Sequence, residues 1–124
     1  MSSTSSALRS ASLSLRCRGH ILARVDLGAT FWQRARGLIG HAPLAGGEGL
    51  LIAPCSSVHT FFMSFPIDVV YISTDLRVMK IVPRLRPWRF SAARGSRYVL
   101  ELAAGAAEGS GLRPGDLLEL AGSS

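Results

Sequence analysis

A chain of 124 residues with 48% hydrophobic and 18% charged residues has room for one folded domain around one core. This composition excludes an intrinsically disordered protein, and no apolar run approaches the roughly 20 residues that a membrane-spanning helix needs. The formal net charge of +6 comes from arginine with the addition of Lys80. An arginine excess of this kind fits anion binding, and it fits equally well a compositional bias of the genome, which the abundance of Ala, Gly and Leu also suggests.

The first twelve residues are rich in Ser and Ala and carry one charge, Arg9. They lack an apolar segment behind a basic start, so we expect a disordered tail, no secretory signal and a cytoplasmic location. The folded domain is predicted to span 13–121, followed by a short tail at 122–124. Two cysteines, Cys17 and Cys55, do not make a disulfide framework, and reduced thiols are expected. Whether the two could pair stays open.

The first half of the domain begins with two predicted strands. Apolar and polar residues alternate over 13–17, which predicts a half-buried strand with Cys17 as core filler. A turn at 18–20 leads into a second strand over 21–27. Thr30 and Gln33 have the spacing of a capping box, which predicts a short helix ending near 38–39, before Gly40. A loop over 41–49 and short strands over 49–53 and 58–63 follow.

The second half is also dominated by short strands. Strands are predicted over 67–73 and 77–83, joined by a turn, and a long basic loop over 84–97 follows. A strand over 97–102, a small helix over 104–110, a turn at 114–116 and a strand over 117–120 complete the chain. No βαβ alternation and no repeat is visible. The pattern therefore predicts a mostly β (α+β) fold, a compact barrel-like antiparallel or mixed sheet with two short helices.

Two acids fall within apolar strands, Asp68 in 67–73 and Glu101 in 97–102. A carboxylate in such a place must be hydrogen-bonded or paired, or its pKa rises. Asp68 is expected to accept bonds from backbone N–H groups or from arginine, as a structural acid, or else to serve a site. Arg34 on the predicted helix is a candidate partner for either acid.

Cys55 and His59, together with Asp68, include the residue types of a nucleophile, a base and its orienter. Pro54 and the aromatic run after it favour a loop and strand, so the four-residue spacing of Cys55 and His59 does not place them on one helical face. No glycine-flanked elbow or oxyanion-hole motif surrounds the cysteine. The three are candidate catalytic residues without a complete constellation, and no metal site or cofactor is expected.

Residues 77–97 form a basic segment in which Trp88 and Phe90 are interleaved, with no acid between Asp75 and Glu101. Such a segment is most simply a solvated basic loop. It can also bind the phosphates of a nucleic acid, an anionic membrane surface or an acidic partner. No known nucleic-acid motif is present, which makes nucleic acid the less favoured partner. The anion-binding candidates are Arg84, Arg86, Arg89 and Arg94.

The chain resembles a known family through short motifs in the family's order. They are Arg34-Ala-Arg-Gly-Leu-Ile39, His59-Thr-Phe-Phe-Met63, Pro66-Ile-Asp-Val-Val-Tyr-Ile72, Val99-Leu-Glu-Leu-Ala-Ala-Gly105 and Gly115-Asp116. On these residues, covering roughly 20–120, the chain is identified as similar to the domain-of-unknown-function 192 family of small bacterial and archaeal proteins. The resemblance implies a compact, mostly β fold with short helices, and no reaction. Many members lack a Cys55/His59 pair, so it implies no shared Cys/His mechanism.

The prediction that follows is a monomeric, non-catalytic binding or accessory module for a small molecule or a protein. Its pocket is expected around the 59–68 motif. The candidate ligand-binding residues are Arg34, His59, Phe61, Met63, Asp68 and Glu101. A Cys55-dependent hydrolase or transferase with His59 as base is the first alternative. Binding of an anionic surface or a nucleic acid through 77–97 is the second.

Overall fold

The computed structural model of the chain describes residues 13–28 and 47–122. Within these residues it has nine strands and one short helix. Almost all of these elements are short, as the turn-rich sequence predicts. The strands are β1 Leu13–Cys17, β2 His20–Gly28, β3 Glu48–Ile52, β4 Ser57–His59, β5 Ile67–Ile72, β6 Val78–Leu85, β7 Phe90–Ala92, β8 Tyr98–Ala103 and β9 Leu118–Gly122, and the helix is α1 Ala106–Gly109. The predicted mostly β fold is confirmed.

Seven of the strands form one mixed sheet in the order β6-β5-β8-β3-β2-β1-β9. Among the described strands, β2 and β3 pair in parallel and the other neighbours pair antiparallel. The two outer strands approach each other at one end, where Arg77 bridges Leu117 and the N–H of Leu118 donates to the carbonyl of Leu76 at 2.8 Å. The sheet is strongly curled and barrel-like, as predicted, but it is not closed.

Alternating side chains of the central strands supply two separate cores, one on each face of the sheet. On β5, Val70 and Ile72 belong to the large core inside the curl, and Ile67, Val69 and Tyr71 belong to the small core on the other face. The large core contains Leu15, Cys17, Ala23, Val25, Leu51, Val70, Ile72, Val78, Leu100, Leu102, Ala107, Leu112 and Leu118. The small core contains Val58, Met63, Ile67, Val69, Tyr71 and Val99. Every residue of β5 is buried because both of its faces are covered.

A second, two-stranded sheet of β4 and β7 covers the small core. Ser57, Val58 and His59 pair with Ala92, Ser91 and Phe90, respectively. Val58 is the residue of β4 that points into the small core. This pairing joins two segments about thirty residues apart along the chain, and it builds the surface on which the candidate site lies.

Two sequence predictions fail in this region. The predicted strand 58–63 ends at His59, because the chain turns at Phe61 and Phe62. The predicted loop 84–97 is not one loop, since Arg84 and Leu85 complete β6 and residues 90–92 form β7. In both places the backbone conformation is determined by hydrogen bonds between segments that are distant in the sequence. The local sequence pattern carries no information about such bonds.

The two predicted helices have different outcomes. The helix predicted over 104–110 is found as the single turn α1. The helix predicted over 30–39 lies outside the described residues, as do Arg34 and most of the predicted loop 41–49. No helix in 13–28 or 47–122 is long and apolar enough to cross a membrane.

Candidate functional site

Aromatic side chains collect on the surface made by the β4–β7 sheet and its adjoining turns. Four of them are exposed, by 38% at Phe61, 69% at Phe62, 55% at Trp88 and 66% at Phe90. Among the described residues the remaining large exposed apolar side chains are Ile21 on β2 and Leu117 just before β9. We call His59, Phe61, Phe62, Trp88 and Phe90 the aromatic patch. A concentration of exposed rings in one place marks an interaction surface in most soluble proteins.

Four of the five rings of the aromatic patch contact one another, and Phe90 lies opposite His59 in the β4–β7 pairing. The centroids of His59 and Phe61 are 4.8 Å apart, and Phe61 stacks on Trp88 at 5.8 Å with 24° between the ring planes. Phe62 meets Trp88 edge to face at 4.7 Å. The N–H of Phe61 donates to Nδ1 of His59 at 3.3 Å, which orients the imidazole toward the neighbouring ring. The patch is a connected surface of rings and not a set of isolated side chains.

Thr60 joins the two segments that carry the rings. Its side chain is fully buried, its hydroxyl donates to the carbonyl of Arg86 at 2.6 Å, and the same oxygen accepts from the N–H of Arg89 at 2.8 Å. Its backbone N–H donates to the carbonyl of Arg89, and its carbonyl accepts from Trp88 N–H at 2.9 Å and Met63 N–H at 3.1 Å. Four of these bonds clamp the turn after β4 onto the turn before β7, and the fifth, from Met63, closes the turn after β4 itself.

Phe62 and Trp88 adopt a backbone conformation that bulky residues rarely take, with φ of 68° and 63°. Left-handed backbone at such residues costs on the order of 1–3 kcal/mol each and persists only where surrounding contacts hold it. Here the carbonyl of Thr60 fixes Trp88, and both side chains are left projecting from the tips of adjacent turns. The chain thus holds two aromatic side chains outward at an energetic cost.

Thr60→Val is expected to destabilise this part of the fold, because valine keeps the shape and leaves the partly buried Arg89 N–H and Arg86 carbonyl without their side-chain partner. The expected loss is about 1–3 kcal/mol in the free energy of unfolding, measured with urea. The near-ultraviolet circular dichroism of the ring cluster should also weaken. Thr60→Ser should restore both quantities, and Ser57→Ala, at an exposed position of β4, should change neither. Unaltered stability in Thr60→Val would contradict the clamp.

The four arginines predicted to bind anions are not gathered at one place. Arg86 and Arg89 flank Trp88, and Nη1 of Arg89 donates to the carbonyls of Pro87 and Trp88 at 3.5 and 3.4 Å. Arg84 is engaged by Glu108, whose Oε1 lies 3.1 Å from its Nη1. Arg94 occupies the turn that follows β7, at the end opposite to Trp88. Arg86 and Arg89 are therefore the two that border the aromatic patch.

Asp68 is used inside the fold. Its side chain is fully buried, and its two oxygens accept three backbone bonds, from Arg84 and Gly105 at Oδ1 (2.9 and 3.0 Å) and from Ala107 at Oδ2 (2.8 Å). Gly105 has φ of 92°, and a Cβ there would lie 3.2 Å from Nη2 of Arg84. The carboxylate ties the end of β6 and the start of α1 to β5. Of the two partner types predicted for it, backbone N–H groups are the ones found.

Glu101 is the second buried acid, 4% exposed on the small-core side of β8 by its alternation with Val99. It pairs in register with Val69 on β5 and Leu50 on β3. Its Oε1 has no hydrogen-bond partner among the residues that the structure describes. Burial therefore raises the pKa of this carboxyl to about 7.

Tyr71 lies close enough to Cys55 and to Glu101 to be coupled electrostatically with each of them. The hydroxyl of Tyr71 donates to Oγ of Ser91 at 2.9 Å, across the interface of the two sheets. Burial raises the pKa of Tyr71, and charge on Cys55 or Glu101 would raise it further. The cluster is a packed layer beneath the β4–β7 sheet, and it is separate from the exposed rings above it.

The candidate catalytic residues do not form a hydrogen-bonded relay. The thiol of Cys55 donates to the carbonyl of Ser57 at 3.1 Å and packs against the small core, while Nδ1 of His59 accepts from Phe61 and its ring faces outward. The acceptor oxygens of Asp68 are occupied by three amides. Neither Cys17 nor Cys55 forms a disulfide, and burial raises the pKa of the Cys17 thiol.

Of the candidate ligand-binding residues that the structure describes, His59 and Phe61 come together and the others do not join them, while Arg34 lies outside the described residues. Met63 is buried in the small core, Asp68 faces the large core side, and Glu101 faces the small core. Phe62, Trp88 and Phe90 complete the patch. The interleaving of aromatic and basic residues in 77–97 singles out Trp88 and Phe90 in the sequence. No sequence signal pointed to Thr60. In the described ranges no three His, Cys, Asp or Glu side chains are grouped to hold a metal ion.

Two solved structures are similar to this fold over most of its length. A protein of unknown function from Novosphingobium aromaticivorans DSM 12444 has a TM-score of 0.76 and 26% sequence identity, covering 87% of this chain and 83% of its own. A protein from Sinorhizobium meliloti 1021 with a suggested role in transcription regulation has a TM-score of 0.77 and 26% identity, covering 88% and 92%.

Similar sequences are also found. A UPF0127 protein of Thermococcus sibiricus is 34% identical over 88 residues, which is 66% of this chain and 56% of that protein. A UPF0127 protein of Pyrococcus furiosus is 35% identical over 65 residues, which is 52% and 55%. The aligned part of this chain thus spans a little over half the length of these relatives. Residues 14–120 match the model of a family, DUF192, described as uncharacterized ACR.

Proposed function

The chain belongs to the uncharacterised family DUF192, and from this premise we propose that it is a binding domain whose contact surface is the aromatic patch. The observation that carries the proposal is the exposure of four large rings on β7 and on two clamped turns, whereas the other large exposed apolar side chains of the described residues are Ile21 and Leu117. Exposed rings held in a fixed arrangement lose little conformational entropy when a partner covers them. That property suits a surface used for binding.

The proposed contact surface differs from the pocket expected around the 59–68 motif. His59 and Phe61 stay in the proposal. Met63, Asp68 and Glu101 are proposed to support it from below, since they are buried and the rings lie above the β4–β7 sheet. Catalysis is left out of the proposal, because the groups of Cys55, His59 and Asp68 that a relay would need already have other partners.

A photo-crosslinking experiment tests the proposal and captures whatever partner the aromatic patch binds. The full chain carries p-benzoylphenylalanine in place of Phe62, at 69% exposure in the patch, or in place of Ile21, at 51% exposure on β2. After irradiation in cells, the position-62 variant is expected to form discrete adducts that the position-21 variant does not form. Trp88→Ala in the position-62 variant should reduce those adducts. Identical adduct patterns at both positions, or no protein, nucleic-acid or lipid adduct at position 62 by mass spectrometry, would overturn the proposal.

A nucleic acid is the partner to which the suggested transcription role of the Sinorhizobium meliloti protein would point. Its adduct would be recognised in the same experiment by its sensitivity to nuclease. Binding would also weaken steeply with salt concentration, because phosphate contacts release counterions.

A further inference from the structure

We propose, resting on the function above, that the partner of the aromatic patch is the surface of an anionic lipid bilayer. Phe62, Trp88 and Phe90 would enter the headgroup region, and Arg86 and Arg89 would contact lipid phosphates. The shape of the patch is the first observation that supports a bilayer as the partner. Phe62 and Trp88 stand at the tips of two neighbouring turns, so they project from the surface and do not line a cleft. Projecting rings match a soft partner that closes around them.

The chain segment that carries Trp88 and Phe90 has charge of one sign. The chain carries a net charge of +6 and has no acidic residue between Asp75 and Glu101. Arg86 and Arg89 are exposed beside the patch, and the ion pairs found in the described part of the chain involve other arginines, Arg18, Arg77 and Arg84. Arginine beside exposed rings complements the negative potential of a bilayer that contains anionic lipid.

The contacts among the rings favour a bilayer over a single-stranded nucleic acid. Base stacking needs open ring faces spaced along the strand. In the patch, one face of Trp88 is stacked on Phe61, and Phe62 packs against the same indole. Insertion at the headgroup level requires only that ring area leave water, and an indole N–H can still reach water or a lipid oxygen there.

The experiment uses the full chain with Trp32→Phe, so that Trp88 is the one tryptophan. Vesicles of phosphatidylcholine alone, and of phosphatidylcholine with phosphatidylglycerol, are mixed with the protein and recovered by flotation. We expect recovery with the anionic vesicles, a blue shift of Trp88 emission and quenching by lipids brominated near the headgroup end of the acyl chain. Binding should fall as salt concentration rises.

Matched variants separate insertion from simple adsorption. Phe62→Ser and Phe90→Ser are each expected to lower the partition coefficient about tenfold, whereas Ile21→Ser, at an exposed apolar position elsewhere, should leave it unchanged. Arg86→Gln should lower it several-fold on anionic vesicles, and Arg24→Gln on β2 should have little effect. Circular dichroism and thermal unfolding of each variant verify that it is folded.

Three outcomes would overturn the proposal. They are no recovery with anionic vesicles, recovery without any change in Trp88 emission, and recovery that Phe62→Ser does not alter. Binding of oligo(dT) with quenching of Trp88, in the absence of vesicle binding, would assign the patch to nucleic acid. Discrete protein adducts from position 62 without vesicle binding would leave the binding function standing and reject the bilayer as the partner.

Discussion

Asp68→Ala is expected to lower the free energy of unfolding by on the order of 3–5 kcal/mol, because three backbone N–H groups lose their acceptor at once. The groups belong to Arg84, Gly105 and Ala107, and the carboxylate that serves them is fully buried. Asp68→Asn keeps one acceptor oxygen, so its free energy of unfolding should fall by less. Urea unfolding followed by far-ultraviolet circular dichroism at neutral pH measures both.

Glu108→Gln is the matched control for this experiment. Glu108 pairs with the side chain of Arg84, but it is 75% exposed and its removal should cost less than about 1 kcal/mol. An Asp68→Ala variant as stable as the parent would show that the three amides find water or other acceptors. The carboxylate would then have no structural role to explain its burial.

The stability of the parent protein is expected to fall as the pH rises from about 4.5 to about 7, because Glu101 holds its proton more tightly in the folded state. Its ordinary pKa is 4.5 and its pKa in the fold is about 7. Below this window the carboxyl is protonated in both states. Above it the buried group is ionised, and the lost stability amounts to roughly 3 kcal/mol at about 1.4 kcal/mol per pKa unit.

Glu101→Gln removes the charge with little change of shape, so the variant should lack the decline and exceed the parent in stability at pH 8. Urea unfolding at four pH values between 4.5 and 8 gives the comparison, with Glu119→Gln, exposed on β9, as control. The pKa of Asp116 is lowered, chiefly by the N–H of Arg113, so its contribution changes at a pH below this window. If the free energy of unfolding of the parent protein stayed constant from pH 4.5 to 7, this would contradict the raised pKa assigned to Glu101.

The sequence was sufficient for those elements whose side chains alternate. The pattern of 67–73 placed Asp68 on a buried strand with apolar neighbours on both faces, and β5 has that arrangement. The hairpin of β1 and β2 and the turn before β9 were found the same way. In each case the period of the apolar residues and the turn residues agree, so local information is enough.

The aromatic patch could not be predicted in the same way, because its geometry depends on Thr60. Residues 58–63 have the composition of a strand, yet the bonds from Thr60 to the segment 86–89 turn the chain at Phe61. A threonine in an aromatic run carries no sign of such a partner. For Glu101, burial followed from its strand, while pairing with Arg34 stays a prediction, since Arg34 is outside the described residues.

The pairing of β1 with β9 places the beginning and the end of the described domain side by side, with Leu13 opposite Gly122. One side of β1 therefore stays an unpaired strand edge until the last strand of the domain has left the ribosome. Completion of the sheet is a late event during synthesis, and any shortened product that ends before Leu118 exposes a template for pairing with other chains. The same adjacency makes a short linker between these two strands the natural route to a circularly permuted protein.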